Sequence, residues 1–304
     1  MLYLGFIIGL VLLAVGGDTL VNGSVALARR FHVSVLLIGI VLVGFGTSTP
    51  ELVASLVAVF QKPPAPGIAI GNVVGSNIAN ILLVLGTAAV ILPVLVDKKS
   101  FRRDAFFLTI STAALVIASV WGVIGFVSGV VLVALLLFYV LYSYRTENQK
   151  QEEPEEKILP VWKGLLMAVG GIAMTLGGAK LLVSCSIKLA QLFGVSETVI
   201  GLTVVAIGTS LPELATSVSA SLKKQNDLAF GNVVGSTIYN ALFIPGTVAL
   251  FAPIHVPKDI SVSLAIMVFV TLLLIGLGFK GKISRVGGWV FLGLYAGYMI
   301  CLAL

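Results

Sequence analysis

Charged residues are scarce in this sequence: Asp, Glu, Lys and Arg together make up 11% of its 304 residues. A soluble globular domain carries about 25% charged residues, so this chain lacks the polar surface that such a domain needs in water. Apolar stretches of roughly 20 residues, the length that crosses the hydrocarbon core of a bilayer, recur from end to end. The composition therefore excludes a sizeable soluble domain and predicts a protein embedded in the lipid bilayer.

Cysteine is also nearly absent. Cys185 and Cys301 lie in apolar stretches, so we expect two packing residues and no disulfide framework.

The net charge of +6 would suit nucleic acid, but the basic residues cluster in short loops between apolar stretches, so we expect no nucleic-acid partner. The first stretch has neither a basic leader nor a small-residue cleavage site, and we interpret it as a retained helix.

Breaks in the apolar runs predict ten membrane-spanning helices joined by short loops. The predicted spans are 2–28, 34–61, 67–92, 104–121, 124–145, 160–190, 196–223, 228–253, 259–279 and 285–304. Fifteen of the 19 Lys and Arg residues fall on one side, Lys62, Lys188 and Lys258 on the other, and Lys180 inside a span. The basic side is expected to be cytoplasmic, which predicts a multi-pass protein of the cell membrane with both termini extracellular.

The most hydrophilic stretch, residues 144–157, holds two pairs of glutamates on either side of Pro154. It is either a regulatory docking loop or a solvated linker, and its shortness and lack of ligand spacing favour the linker. We therefore divide the chain into a first transmembrane repeat (1–145), a cytoplasmic acidic linker (146–159) and a second transmembrane repeat (160–304). Nothing in the sequence indicates a protein partner.

The two halves on either side of this linker repeat each other. Residues 16–55 align without a gap with 178–217, about half of the positions being identical, and the hexapeptide at 71–76 recurs letter for letter at 231–236. Each half holds five spans, so the second copy must enter the membrane in the opposite direction. The sequence thus predicts an all-α membrane protein of ten transmembrane helices in two inverted five-helix repeats, an arrangement common in secondary transporters.

Predicted helices 2 and 7 are each interrupted by Gly-Thr-Ser-x-Pro-Glu, at 46–51 and 208–213. Proline cannot donate a backbone hydrogen bond, so each motif frees the carbonyl of its glycine. Lipid tolerates such a break only where it is buried in protein or lines a cavity. A carbonyl, two hydroxyls and a carboxylate on one turn are hard oxygen ligands, which suit Na⁺ or Ca²⁺.

Four polar stripes, each of three residues at four-residue spacing, lie in predicted helices 2, 3, 7 and 8 and would converge on one central site. They are Thr47, Glu51 and Ser55; Asn72, Ser76 and Asn80; Thr209, Glu213 and Ser217; and Asn232, Ser236 and Asn240. The glycine pairs 71/75 and 231/235 have the spacing that lets helix backbones approach closely.

Glu51 and Glu213 are the residues of these stripes that most need a functional explanation. A lone Ser, Thr, Asn or Pro in a membrane helix is often only structural. An acidic residue at a helix centre costs about 2.5–3.5 kcal/mol on insertion scales, and the sequence bears that cost twice, at equivalent positions, with no obvious lysine partner. The two glutamates therefore indicate a functional site.

These motifs resemble the α-repeats of the cation/calcium antiporter superfamily, and in particular its prokaryotic sodium/calcium exchanger branch. The resemblance covers the whole chain. It implies a transporter and not an enzyme, in which Na⁺ entry drives Ca²⁺ out by alternating access through a midplane site centred on Glu51 and Glu213. The ions would be transported substrates, with no cofactor, and helices 1 and 6 would move as a pair against the rest.

Carried over by position, the resemblance implies ion ligands in both repeats and two backbone carbonyls. The side-chain ligands would be Thr47, Ser48, Glu51, Ser76 and Asn80 with Thr209, Ser210, Glu213, Ser236 and Asn240, and the carbonyls those of Gly44 and Ala206. Family members usually keep Asp at one or both of the positions that Asn80 and Asn240 occupy. The pocket would then carry two negative charges, which one Ca²⁺ neutralises, so potassium dependence is not expected and the Na⁺ stoichiometry stays open.

Two other functions fit parts of the pattern. Proton-driven relatives tend to carry Glu where this chain has Ser76 and Ser236, which makes H⁺/Ca²⁺ antiport the second choice. A cation channel could also use carboxylates, but two broken helices in an inverted repeat favour a transporter. Because two nearby carboxylates disfavour each other's ionised form when no cation is bound, we expect acidification to compete with Ca²⁺ by protonating Glu51 or Glu213. Asp18 and Lys180, at equivalent positions of helices 1 and 6, would either form a salt bridge or face separate interfaces.

Overall fold

The computed structural model describes residues 2–147, 159–193, 206–257 and 260–303. Ten helical spans follow one another along the chain. They are α1 (Leu2–Phe31), α2 (Val35–Phe60), α3 (Pro66–Ile91), α4 (Lys98–Val120), α5 (Phe126–Glu147), α6 (Val161–Leu192), α7 (Ala206–Gly208 and Leu211–Leu222), α8 (Asn226–Phe251), α9 (Ser261–Gly278) and α10 (Arg285–Ala303). The predicted start of α7 and most of the acidic linker lie outside the described residues.

The helical spans confirm the predicted all-α membrane fold. Within the described part of the chain, nine helices are long and apolar enough to cross a bilayer, and α7 is described only from Ala206. Most described helix ends lie within about three residues of their predicted positions. Helix α4 is the exception, because it begins at Lys98 and not at 104. Asp97 caps it by accepting a hydrogen bond from the Ser100 amide at 3.1 Å, so the helix includes a polar turn before its apolar run.

Two short antiparallel strand pairs, which the sequence did not predict, connect loops of the two halves. Strand β1 (Val94–Leu95) pairs with β4 (Lys282–Ile283), and β2 (Val123–Ile124) pairs with β3 (Ile254–His255). Since β1 precedes α4 and β2 follows it, the two pairs lie at opposite ends of a helix about 35 Å long. The α3–α4 loop therefore lies at the same end as the α9–α10 loop, and the α4–α5 loop at the same end as the α8–α9 loop. This arrangement is consistent with an inverted repeat.

Helix α8 lies at the centre of the fold and is buried along almost its whole length. The first half of α2 packs directly on its backbone: a Cβ at Gly231 would lie 2.6 Å from the Leu36 carbonyl oxygen, and one at Gly235 would lie 2.6 Å from that of Ile40. The close approach predicted for the 231/235 glycine pair is confirmed. By the repeat, Gly71 and Gly75 would pack against the first half of α7, which is described only from Ala206.

Helices α1 and α6 form a closely packed pair. Glycines recur at seven-residue intervals in both helices, and a Cβ on any of them would lie 3.0 Å or less from an atom of the facing helix; these glycines are 9, 16 and 23 in α1 and 164, 171 and 178 in α6. At Gly23 and Gly171 that distance falls to 2.5 Å, to the backbone nitrogens of Ala168 and Leu20. Small residues thus let the two backbones meet.

Candidate cation-binding site

Helices α2 and α7 are both broken inside the predicted motif, at equivalent serines. Ser48 (φ −81°, ψ 5°) and Ser210 (φ −87°, ψ 5°) leave the helical conformation, and the second segments start at Thr49 and Leu211. Pro50 and Pro212 lie in the first turn of these segments, where an amide hydrogen would have no acceptor within the segment. The glutamates follow in the same turn, so each carboxylate lies near the positive end of a helix dipole.

Two π-helical segments adjoin the predicted ligands of the first repeat. The segment Gly39–Gly44 in α2 ends at Gly44, and the segment Asn80–Leu85 in α3 begins at Asn80. A π-helical turn contains one extra residue, and such turns are frequent at functional sites. Neither segment was predictable from the sequence, since neither contains proline and both resemble ordinary apolar helix.

The two carboxylates are fully buried, and each accepts a serine hydroxyl. Ser76 donates to Glu51 Oε1 at 3.4 Å within the first repeat, whereas Ser48 donates to Glu213 Oε1 at 3.2 Å across the repeats. The other carboxylate oxygen, Oε2, is buried in both glutamates and has no hydrogen-bond partner among the described residues. The predicted convergence of the two motifs is therefore present in the structure.

Thr47, Gly44 and Ser236 form a second contact between the repeats. The Thr47 hydroxyl lies 3.0 Å from the Val43 carbonyl oxygen and 3.2 Å from Asn232 Oδ1, two acceptors that share its one hydrogen, and 3.4 Å from the Ser236 hydroxyl. Ser236 in turn lies 3.4 Å from the Gly44 carbonyl oxygen. Thr47 is fully buried, whereas its counterpart Thr209 is partly exposed. The two halves of the predicted site are thus not equivalent in this structure.

The remaining predicted ligands follow these contacts along the same helices. Asn80 and Asn240 come one turn after Ser76 and Ser236, and both are fully buried with neither amide atom hydrogen-bonded to a described residue. The Ser210 hydroxyl is likewise buried and has no hydrogen bond to a described residue. Ala206 begins the described part of α7. Buried polar atoms are normally hydrogen-bonded, so this cluster of unpaired groups requires an explanation.

The stripes predicted in the four helices also meet. Asn72 contacts Ser55, and Asn232 contacts Ser217, so α3 packs on α2 and α8 on α7 through polar side chains at the level of the glutamates. These four residues were predicted to lie on the polar helix faces, but they were not among the predicted ligands. Their four-residue spacing from Glu51, Ser76, Glu213 and Ser236 is the signal that links them to the site.

The donor set consists of hard oxygens with only two negative charges. In the described ranges, no group of three or more His, Cys, Asp or Glu residues is placed to hold a metal ion. Carboxylate, hydroxyl, amide and carbonyl oxygens suit Na⁺ and Ca²⁺ and suit soft metals poorly. The predicted ligands therefore offer the donor chemistry that a small hard cation prefers, namely two buried carboxylates and a set of neutral oxygens.

Asp18 of α1 pairs with Lys223, at the end of α7, and not with Lys180. The Asp18 Oδ1 and Lys223 Nζ atoms are 2.6 Å apart, and Lys223 also donates to Asn22 Oδ1 at 2.6 Å. Near this contact a Cβ at Gly17 would lie 2.9 Å from the Ala215 carbonyl oxygen, so α1 packs directly on the second segment of α7. The alternative of a salt bridge between α1 and α6 is therefore not seen in the described structure.

Comparison with known proteins identifies the family. The family model described as "Sodium/calcium exchanger protein" matches residues 1–145 and 163–304. An uncharacterised membrane protein of Methanocaldococcus jannaschii is 38% identical over 301 residues, 97% of each chain. The sodium/calcium exchanger MaX1 of Methanosarcina acetivorans is 31% identical over 351 residues, which cover 99% of this chain and 98% of its own.

A solved structure has the same fold. The sodium-calcium exchanger NCX_Mj, soaked with 2.5 mM Na⁺ and 0.1 mM Ca²⁺, matches with a TM-score of 0.86 and 37% sequence identity, covering 97% of each chain. The match includes all four helices that carry the predicted ligands. On its sequence, its fold and the motifs in α2, α3, α7 and α8, the chain belongs to the sodium/calcium exchanger protein family.

Proposed function

We propose that this protein is a secondary active antiporter that exchanges Na⁺ for Ca²⁺, and that Glu51 and Glu213 bind the transported ions. The observation that carries the proposal is the set of buried oxygens, on predicted ligands, that have no hydrogen-bond partner in the described chain. These are Glu51 Oε2, Glu213 Oε2, Ser210 Oγ, Asn80 Oδ1 and Asn240 Oδ1. An unpaired buried polar group is costly, and a bound cation would satisfy several of these groups at once.

The hydroxyls and carbonyls around the glutamates would complete the ion's shell. Ser48 and Ser76 now donate to the carboxylates, and the same oxygens can turn lone pairs toward a cation. Thr47, Thr209 and Ser236, with the carbonyls of Gly44 and Ala206, would supply the remaining neutral oxygens. Ca²⁺ usually takes six to eight oxygen ligands, a number that this set can provide without another charged residue.

The charge of the pocket explains why exchange would be coupled. With Asn at positions 80 and 240, the site holds two carboxylates that one Ca²⁺ neutralises. Two uncompensated charges in a buried, water-poor position are costly, so the cation-free pocket would seldom change its exposure from one side of the membrane to the other. Ion-loaded forms lack that penalty. The protein would therefore carry one ion species only in return for the other.

The packing of α1 and α6 supports alternating access. Helix α1 packs along the second segment of α7, whereas packing of α6 along the second segment of α2 is nearly absent among the described residues. In an inverted repeat these two contacts lie at opposite ends of the molecule. Movement of the glycine-packed α1–α6 pair would exchange one contact for the other, which would close the site on one side and open it on the other.

We further propose that both termini are extracellular and that the acidic linker is cytoplasmic. The basic residues support this orientation, since Arg29 and Arg30 end α1, while Lys98 and Lys99 begin α4. Positively charged loops stay on the cytoplasmic side. The linker at 146–159 would then join repeats 1–145 and 160–304 on that side. By this assignment the contact between α1 and α7 closes the cytoplasmic end.

Ca²⁺ uptake into vesicles with purified protein, driven by an outward Na⁺ gradient, tests the function directly. We expect uptake that saturates with Ca²⁺ and stops without the gradient. A proton gradient of the same size would drive uptake instead if the chain were an H⁺/Ca²⁺ antiporter, and non-saturating flux without any counter-ion would indicate a channel.

The glutamates are tested in the same vesicles. Glu51→Gln and Glu213→Gln should each abolish uptake while the protein remains inserted, because the site loses one of two charges. Asp97→Asn is the matched control, since it removes an acidic charge outside the site and Asn still caps α4. Uptake at the wild-type rate by Glu213→Gln would refute the two-carboxylate site.

A further inference from the structure

Asn72 and Asn232 bind the backbone of the two glutamates in the same way. Asn72 Nδ2 donates to the Glu51 carbonyl oxygen at 3.0 Å and to Ser55 Oγ at 3.1 Å. Asn232 Nδ2 donates to the Glu213 carbonyl oxygen at 3.2 Å and to Ser217 Oγ at 2.9 Å. Each amide group therefore uses both of its hydrogens on the turn that follows the glutamate.

The asparagines sit one turn before the serines of the predicted site. Asn72 and Ser76 are four residues apart on α3, and Ser76 donates to the Glu51 carboxylate. Helix α3 therefore contacts Glu51 at two points, the backbone carbonyl and the side-chain oxygen. Two contacts from one rigid helix fix the broken helix that carries the carboxylate both along its axis and in rotation about that axis.

The contacts of Asn232 extend to the other repeat. Its Oδ1 atom lies 3.2 Å from the Thr47 hydroxyl and shares that hydroxyl's single hydrogen with the Val43 carbonyl oxygen, while its Nδ2 atom donates to the Glu213 carbonyl oxygen and to Ser217. Asn232 is fully buried, so neither contact competes directly with bulk water. It therefore joins the backbone of one glutamate to a predicted ligand of the other motif.

We propose that Asn72 and Asn232 are positioning residues for ion binding, acting through Glu51 and Glu213 without touching the ion. This inference rests on the proposed function of the two glutamates. Each asparagine holds its glutamate in register with the ligands on the neighbouring helix, Ser76 and Asn80 or Ser236 and Asn240. Asn232 has the larger effect, because its loss also removes an acceptor of the Thr47 hydroxyl in the opposite repeat.

A merely structural role makes a different prediction. Asparagine can hold two membrane helices together, and its loss would then lower stability and leave the affinity of correctly folded protein for Ca²⁺ unchanged. A positioning role raises KM for Ca²⁺, because the carboxylate no longer lies where the other oxygens converge. The net worth of a hydrogen bond corresponds to a change of roughly 2- to 12-fold in an equilibrium constant.

Asn77→Leu provides the matched control. Asn77 lies on the same helix as Asn72 and is buried, but its Nδ2 atom lies 3.6 Å from the Met267 sulfur of α9 and contacts neither glutamate. Leucine has nearly the shape of asparagine and removes all of its hydrogen bonds. The three variants Asn72→Leu, Asn232→Leu and Asn77→Leu thus lose similar side chains at different places.

The experiment measures KM and maximal rate of Na⁺-driven Ca²⁺ uptake, together with the melting temperature of each purified variant. We expect KM to rise about 3- to 10-fold for Asn72→Leu and further for Asn232→Leu, with KM for Asn77→Leu within twofold of wild type. If a leucine variant is not inserted, the Asn→Ala variant, which removes the same bonds with less volume, is measured at all three positions.

Two results would overturn the inference. In a transporting wild type, an unchanged KM in both Asn72→Leu and Asn232→Leu, or an equal rise in Asn77→Leu, refutes positioning and leaves the proposed function intact. A wild type that shows no Na⁺-driven uptake refutes the proposed function, and the positioning roles fail with it.

Discussion

At the scale of single residues, the site combines two carboxylates with neutral oxygens. Ser48 links its own repeat to the glutamate of the other, while Ser76 stays within its repeat. The asymmetry continues at Thr47, which is buried, and Thr209, which is partly exposed. A sequence with two nearly identical motifs thus folds into a site whose halves differ. An alternating-access cycle needs this asymmetric arrangement and a second one in which the two halves have exchanged their roles.

Acidification should weaken Ca²⁺ binding. The carboxylates bind Ca²⁺ only when they are deprotonated, so affinity is highest at alkaline pH and falls as the pH drops and protons occupy Glu51 or Glu213. We expect KM for Ca²⁺ to rise between about pH 8 and pH 6, by at most about tenfold per pH unit for each competing proton. The measurement is Na⁺-driven uptake over a range of Ca²⁺ concentrations, with the membrane potential held at zero. A constant KM across this range would show that protons do not reach the site.

The substitution Asn240→Asp tests the charge of the pocket. Asn240 is fully buried and its amide makes no hydrogen bond to a described residue, so an aspartate there would add a third carboxylate next to the proposed ligands. At alkaline pH, KM for Ca²⁺ should fall about tenfold, since the added Coulomb attraction is several kcal/mol and desolvation offsets much of it. The dependence of KM on pH should also steepen, because a further proton competes.

The control for this substitution is Asn240→Ala, which removes the amide and keeps the charge of the pocket. We expect its KM to rise and its pH dependence to match that of the wild type. An Asn240→Asp protein with the pH dependence of the wild type would place residue 240 outside the ion's reach.

At the scale of helices, α1 and α6 pack as one body against the rest. Their contact is made by glycines at seven-residue intervals and leaves no space for a side chain. The Asp18–Lys223 pair connects this body to α7, but the aspartate side chain is 51% exposed. An exposed ion pair contributes about 0.2–1 kcal/mol, so it can bias the position of α1 only slightly. Backbone packing must supply most of the contact energy.

Adjacent glycines in α6 allow a direct test of this packing. A Cβ at Gly171 would lie 2.5 Å from the Leu20 nitrogen, whereas one at Gly170 would have no described atom within 4 Å. Gly171→Ala should separate α1 from α6 and cost about 1–3 kcal/mol by overpacking, while Gly170→Ala should be neutral or slightly stabilising. Melting temperature and Na⁺-driven uptake of the two variants give the comparison. Equal behaviour of both would mean that the two helices are not held backbone to backbone.

The helix features that could be predicted from the sequence are those set by neighbouring residues in the chain. Proline and glycine at 46–50 and 208–212 break a helix wherever it is placed, and the repeat then brings the two breaks together. The π-helical segments at Gly39–Gly44 and Asn80–Leu85 depend on packing between helices, which a run of apolar residues does not encode. The same holds for the contact of Asn232 with Thr47, which joins residues 185 positions apart. Polar helix extensions, such as the first turn of α4, escape a search for apolar runs.

At the scale of the whole molecule, the two halves are joined at both ends. The pair β1–β4 lies at one end of α4 and β2–β3 at the other, and each joins a loop of the first half to a loop of the second. Helix α8 is buried by helices from both halves. The α1–α6 pair is held mainly by its own glycines and by α7. In the proposed antiport, the body that is joined at both ends would stay fixed around the site, and movement of the α1–α6 pair beside it would expose the site to one side of the membrane at a time.

The orientation of this assembly in the membrane can be measured by labelling single cysteines. Cys185 and Cys301 are first replaced by serine, and one cysteine is then placed at Gln61, after α2, or at Lys99, in the first turn of α4; both side chains are exposed. Because basic loops are retained in the cytoplasm, a membrane-impermeant maleimide should label Gln61→Cys in intact cells and Lys99→Cys only after permeabilisation. Labelling of both in permeabilised cells controls for access. The reverse pattern would invert the molecule, and the contact between α1 and α7 would then close the extracellular end instead of the cytoplasmic one.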